Sequence, residues 1–363
     1  MGRTLALVGA GLAHLEIVRR LATQPLHDVD VVLFSPHPSS LYADMVPGVI
    51  AGHLSAAQAR INLWALCQRA RVRFFETAVT RLDPHKRHLF TADGEHYHYE
   101  VVSLSVGGAA SAITVEPGAY VVPARPTLPL LQAIEAREKI AHSQFLTTVV
   151  GSGPAAVQIA LALAYRWRAA ARPITLISDR PLLGFRSAAV SRRLRQALRR
   201  LNVELIEGVG VVAATPTHLQ LSDGSRQGSH FTILATQYAP PPLLSSSGLT
   251  LAPDGRLLVN AALRSASAHN VFAAGECANV AGAGAVESAR AAARQGAILW
   301  ASLTAYFRQR PLPRRTPTHR AVSLLALGER RALLRAGPLA VDGGWLWVVK
   351  NRLDLRHVRR YQL

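Results

Sequence analysis

A chain of 363 residues is long enough for two or three domains, each with its own core. Its 49% hydrophobic and 17% charged residues describe an ordinary globular protein and exclude a disordered one. The net charge of +19, mostly arginine, favours anionic partners (nucleotides, acidic lipid headgroups, nucleic acid) or else a solvated basic surface. Only two cysteines occur, Cys67 and Cys277, far apart in sequence. That excludes a disulfide framework, a C-x-x-C redox pair and a four-cysteine zinc site; no metal is expected, and a reducing, cytoplasmic location fits. The N-terminus runs into a strand at Thr4, with no room for a signal peptide, and no apolar run reaches the roughly 18 residues of a membrane-spanning helix. The expectation is a cytoplasmic protein, soluble or peripheral on the inner face of a membrane.

The first element is "LALVGAGLAHLEIVRRL" (5–21): a short apolar strand, a G-x-G turn at Gly9 and Gly11, and a helix from about Ala13. Gly9 permits the tight turn, Gly11 lets backbone approach a pyrophosphate, and the helix N-terminus directs its N–H groups and dipole at that phosphate. Ala10, between the glycines, and Ala13 belong to the same candidate phosphate site. His14 stands where the usual third glycine allows close helix–strand packing, so it must turn outward or widen the gap. A second strand, "VDVVLFS" (29–35), follows, and Ser35 takes the place of the acid that usually binds ribose hydroxyls. Residues 72–108 alternate apolar and polar, with turns at Asp83-Pro84 and Asp93-Gly94.

The block then repeats. "TTVVGSGPAAVQIALALAYR" (147–166) has the same strand, a turn at Gly151 and Gly153, and a helix opened by Pro154; "RPITLIS" (172–178) is its second strand. Asp179 after that strand suits NADH, Arg180 suits the 2′-phosphate of NADPH, and both alternatives stand. Residues 203–236 repeat the strand pair, with a turn at Asp223-Gly224. Two matching βαβ units are far more specific than one glycine turn, and they predict an α/β fold of two Rossmann-like, three-layer domains. Downstream, "NVFAAGE" (270–276) is a strand ending in Gly275-Glu276, whose acid can accept hydrogen bonds from ribityl or ribose hydroxyls. A long helix is expected over 285–307, a linker over 308–317, and a small C-terminal element after it.

Together these segments resemble the two-dinucleotide-binding-domain flavoproteins of the pyridine nucleotide–disulfide oxidoreductase superfamily, and the resemblance runs from Thr4 to Tyr361. It implies a glutathione-reductase-like architecture: FAD at Gly9 and Gly11, NAD(P)H at Gly151 and Gly153, and the flavin site completed by Gly275 and Glu276, where the usual residue is Asp. "GAGLAHLE" and "SPHPSSLYADMVPGVIAGHLS" resemble the branch related to type II NADH dehydrogenases, some members of which are fused to, or encoded beside, selenide, water dikinase. Histidine at position 14 is a feature of that branch. The expected division is 1–112 with 255–310 for FAD, an inserted 113–254 for NAD(P), and 311–363 as a membrane or acceptor contact.

In the disulfide reductases the segment after the first unit carries the redox cysteines; here "SSLYADMVPG" (39–48) has none. Tyr42, Met45 and Pro47 become the flavin-facing candidates. Gln295 and Gly296 are retained from the segment that runs under the flavin, whereas Ala291 and Val286-Glu287 depart from it. The C-terminal "GGWLWVVKNRLDLRHVRRYQL" (343–363) joins tryptophans to an arginine-rich helix. It either meets an anionic membrane or packs its tryptophans on the FAD domain with the arginines in water. The leading expectation is an FAD-dependent NAD(P)H oxidoreductase, passing electrons to a quinone-like small acceptor without a redox-active disulfide. The alternatives are a flavoprotein acting on a selenium or sulfur compound, and a basic binding module with relic nucleotide sites. No specific nucleic acid is expected, and the oligomeric state is open.

Overall fold

A computed structural model describes residues 3–111, 113–140, 145–182, 188–236, 238–286, 288–313, 322–337 and 339–362. Glu287, residues 183–187 and residues 314–321 (including the end of the expected linker) lie outside them.

Two five-stranded parallel sheets form the centre. The first runs Val271–Ala273, Val101–Leu104, Arg3–Val8, Val29–Phe34, Arg73–Phe75. The second runs Val121–Pro123, Phe231–Leu234, Thr147–Val150, Ile174–Ser178, Val203–Glu207. Central strands such as Leu5–Val8 and Thr147–Val150 are buried throughout. Covered on both faces, they read as apolar and β-branched runs without alternation. Each sheet carries an antiparallel meander: Val79–Asp83, His88–Thr91, His96–His98 on one, and Val211–Ala214, His218–Leu221, Arg226–Gly228 on the other. The duplication extends to a register shift in the first strand of each meander, between Val79 and Arg81 and between Val211 and Ala213. The second unit is inserted in the first, and its two connections pair antiparallel as Ala109–Ala110 and Tyr238–Ala239.

The helix expected from 285 starts at Ala289 and runs to Phe307, capped by Ser288, whose hydroxyl accepts from the Ala291 amide at 3.3 Å. Gly282 and Gly284, at φ +77° and +76°, hold the preceding residues in a turn and a two-residue strand, so the helix begins later than expected.

The C-terminal element bridges both units. Its antiparallel strands Val322–Ala326, Ala332–Ala336 and Leu339–Gly343 lie against the inserted unit. There the Ala326 amide donates to Gln158 Oε1 (2.8 Å), Arg200 pairs with Glu329 (2.6 Å), and Asp342 takes both Arg193 and Arg331. Its helix, Gly344–Val358, lies against the first unit, where Asp354 accepts from Arg290 at 2.8 Å and from Lys350 at 2.6 Å. His53 sits where the three parts meet. Its Nε2 donates to the Gly328 carbonyl at 2.7 Å, and its ring lies 4.7 Å from Tyr165 and 5.6 Å from Trp347, centroid to centroid.

Candidate functional site

The first glycine turn is closed by the loop after Leu104. Gly9 N donates to Phe34 O (2.9 Å), Gly11 N to Ser105 O (3.2 Å), and Ser105 N to Val8 O (2.8 Å). A Cβ on Gly9, whose φ is +88°, would stand 2.5 Å from the Ser105 carbonyl oxygen; on Gly11 it would stand 2.2 Å from Ser105 Oγ. Both glycines are therefore required by close backbone approach. The helix Leu12–Leu21 begins at the turn with Gly11 as an N-cap that lacks a side chain to close it. The amides of Ala10, Leu12 and Ala13 are given no acceptor by the described residues. Three unfilled backbone donors beside a helix N-terminus match the chemistry of a pyrophosphate.

His14 corrects an expectation. It does not turn outward: it is fully buried, with Nδ1 2.7 Å from the Gly9 carbonyl and Nε2 2.9 Å from Ser103 Oγ. The ring fills the space a glycine would leave. Burial lowers its pKa to about 4, against the opposing bond to Gly9, so it is neutral at pH 7. Close packing is provided elsewhere. Gly296, on the helix Ala289–Phe307, crosses the first helix so tightly that a Cβ would lie 2.9 Å from Ala13 O.

Gly275, at φ +82°, brings Glu276 to the same end of the first sheet. Gln295 is buried under this turn; its Oε1 accepts from Gly275 N at 2.7 Å, while its Nε2 is buried with no partner among the described residues. An orphaned amide donor at this position fits a cofactor acceptor group. Glu276 is not a free acid: it forms an ion pair with Arg125 from the entry to the inserted unit, and its carbonyl accepts from Arg256 Nε at 2.8 Å. Ser35 is buried, its hydroxyl donating to His37 O at 3.2 Å.

Tyr42, Met45 and Pro47 are buried in the loop and short helix after the second strand. Tyr42 packs 5.1 Å from the His357 ring and donates to Asp44 at 3.3 Å. Burial raises the pKa of the Asp44 carboxyl, with Lys350 opposing the shift and Asp354 adding to it. Neither cysteine is near the surface. Desolvation pushes the Cys67 thiol up to about 12 and the Cys277 thiol to about 11, so both are inert thiols at neutral pH.

In the second turn Gly151 N donates to Ile177 O at 2.8 Å, and a Gly151 Cβ would meet Ala235 O at 2.2 Å. Gly153 is the N-cap of the helix Pro154–Arg166, and Pro154, lacking an N–H, suits its first position. At the end of the next strand the Ser178 hydroxyl donates to Arg180 O, and Asp179 and Arg180, both about half exposed, pair with each other at 3.1 Å.

The two C-terminal tryptophans part company. Trp347 packs beside His53, with Arg330 5.8 Å from its ring, whereas Trp345 is 62% exposed. Val348, Val349 and Leu353 are exposed with it along one face, which continues into exposed Arg352, Arg356, Arg359 and Arg360. No helix among the described residues is long and apolar enough to cross a membrane.

Sequence reasoning missed Ser103, Ser105 and Arg125 because each acts across the fold. The small residues of "SLSVGG" (103–108), at the end of a buried strand, were the one available signal.

Two glycine turns at the carboxyl ends of two parallel sheets, one unit inserted in the other, define a protein with two dinucleotide-binding units. Residues 3–296 match the pyridine nucleotide-disulphide oxidoreductase family, and the chain belongs to it. It is accordingly an FAD-dependent NAD(P)H oxidoreductase, of a family that binds both cofactors. The nitric oxide reductase FlRd-NAD(+) reductase of Aeromonas salmonicida is 27% identical over 292 residues, covering 77% of this chain and 71% of that protein. Among solved structures, the sulfide:quinone oxidoreductase of Aquifex aeolicus is similar with a TM-score of 0.79 at 17% identity, covering 99% of this chain and 92% of that one. Putidaredoxin reductase, in its covalent complex with putidaredoxin, has a TM-score of 0.70 at 18% identity, covering 99% and 93%.

Proposed function

We propose that this oxidoreductase delivers reducing equivalents from NAD(P)H to a quinone-like acceptor at an anionic membrane surface, with no cysteine relay. The carrying observation is the helix Gly344–Val358. One side presents exposed Trp345, Val348, Val349 and Leu353 beside arginines. The other is tied to the candidate flavin-facing loop, where Lys350 Nζ donates to the Asp44 carbonyl at 2.5 Å. An apolar stripe flanked by guanidinium groups is the chemistry of an interfacial helix on anionic lipid.

In this reading FAD belongs to the unit 1–112 with 255–310 and NAD(P)H to 113–254, a division the two sheets support. Bound FAD supplies the two-electron chemistry, and the protein supplies position and electrostatics. Gly9 and Gly11 keep the backbone tight at the pyrophosphate; Ala10 and Ala13 offer N–H donors; Gln295 holds the Gly275 turn and offers its free amide. Glu276 receives ribityl hydroxyls while Arg125 balances its charge, and Ser35 leaves the adenosine ribose without an acidic partner. Tyr42, Met45 and Pro47 wall the loop and exclude water. At the second turn Asp179 and Arg180 decide between the ribose hydroxyl of NADH and the phosphate of NADPH.

The test is flotation of the holoprotein with vesicles of anionic and of neutral lipid, together with reduction of a short-chain quinone. Binding to anionic vesicles alone, lost at high salt and in a Trp345→Ser/Val349→Ser variant, supports the reading; equal indifference to both vesicles removes the membrane from it. The net charge and the putidaredoxin complex of a structural relative favour a second reading, an acidic electron-carrier protein as acceptor. Reduction of such a carrier in preference to the quinone establishes that one instead.

A further inference from the structure

The second glycine turn provides a control for the first. Gly9 and Gly11 correspond to Gly151 and Gly153, so His14 corresponds to Ala156, a side chain with no donor. His14 alone can bond its own turn. Its Nδ1 lies 2.7 Å from the Gly9 carbonyl oxygen, which can only accept; Nδ1 therefore carries the proton. The neutral ring then has its lone pair on Nε2, which accepts the Ser103 hydroxyl at 2.9 Å. Leu7, two residues before Gly9, is the register partner of Ser103 on the adjacent parallel strand, so the hydroxyl rises beside the turn from a rigid, buried position.

The consequence follows from the peptide plane. The Gly9 carbonyl and the Ala10 N–H belong to one trans peptide and point in opposite directions. Holding the carbonyl inward holds the Ala10 N–H outward, on the side where the Leu12 and Ala13 amides also lack acceptors. The carbonyl is the atom of this turn that would repel a phosphate, and a bonded carbonyl polarises its peptide and strengthens the N–H at the other end.

We propose that His14 is a positioning residue for the pyrophosphate of FAD, turning the Ala10 N–H toward the cofactor by capturing the Gly9 carbonyl. It touches the turn and not the cofactor, and it serves the first nucleotide only. The inference rests on the reading that the first turn holds FAD.

The experiment titrates FAD into apoprotein of wild type, His14→Ala, His14→Asn and Ser103→Ala by flavin fluorescence, with NADH and NADPH titrated in parallel. His14→Ala should weaken FAD about 10- to 100-fold, the worth of one hydrogen bond that serves a charged group. NAD(P)H affinity should stay within about twofold, since the second turn lacks the device. Asparagine, whose amide can reach the same carbonyl, should recover most of the loss. Ser103→Ala should give a smaller loss, by releasing the tautomer. Because His14→Ala can fail to fold, 15N resonances of His14 in the wild-type holoprotein give an independent reading: the proton must reside on Nδ1. FAD affinity unchanged in His14→Ala, equal loss of FAD and NAD(P)H, or a proton on Nε2 overturns the inference. Wild-type apoprotein that binds no FAD overturns the cofactor reading as well.

Discussion

Asp354→Ala probes the joint that ties the C-terminal helix to the candidate flavin site. The Asp354 side chain is 1% exposed, and its two oxygens bond Arg290 at 2.8 Å and Lys350 at 2.6 Å. Removing it strands the Lys350 ammonium, 8% exposed, with the Asp44 carbonyl as its remaining acceptor. Breaking a buried pair by deleting one partner costs about 3–5 kcal/mol, because the surviving charge stays desolvated. Arg290 is one-third exposed and can turn to water, which places the loss near the lower end, about 3 kcal/mol. Lys350→Met in the same chain removes the stranded charge, so the double substitution should regain about 2 kcal/mol of that loss. Thermal melting of the holoprotein reports the global effect, and tryptic cleavage after Arg352 reports release of the helix. A single variant that melts and resists trypsin like the wild type refutes the reasoning, and so does a double variant as damaged as the single.

Gly9→Ala forces a Cβ to 2.5 Å from the Ser105 carbonyl at a φ of +88°, and the purified variant should lose its yellow colour while still binding NAD(P)H. Gly296→Ala pushes against Glu16 Cβ at 2.7 Å and Ala13 O at 2.9 Å; it should destabilise by about 1–3 kcal/mol and loosen FAD, checked by melting and cofactor release. Burial holds His14 near pH 4 against an ordinary 6.5, so between those values the unfolded chain binds a proton that the native state refuses. Stability should fall as pH drops from 6.5 to 4, by about 3 kcal/mol in all for this group, with little further loss below. Unfolding free energies of wild type and His14→Asn across that range check it; parallel curves deny the histidine its part.

The duplicated architecture was legible because local chemistry repeats: glycines where strands turn into helices, β-branched buried strands, and Asp-Gly turns in each meander. What stayed hidden was every contact made across the fold. The size of His14 left its direction open, outward or into a widened gap; its inward place depends on the Ser103 hydroxyl, 89 residues away in sequence. Glu276 looked like a free acid because Arg125 enters from the inserted unit. Trp345 and Trp347 are two residues apart, and helical geometry sends one to solvent and the other against His53. The C-terminal strands join the inserted unit through Asp342 and Glu329, single carboxylates with no periodicity to announce them.

The most direct test of the account is anaerobic stopped-flow on a Cys67→Ser/Cys277→Ser variant, with the flavin reduced by NADH or NADPH and then mixed with a short-chain quinone. The account predicts bleaching of the flavin by the nucleotide and its return with quinone at the wild-type rate. A reduced flavin that quinone leaves bleached in wild type and variant alike, or a return that requires the cysteines, contradicts it.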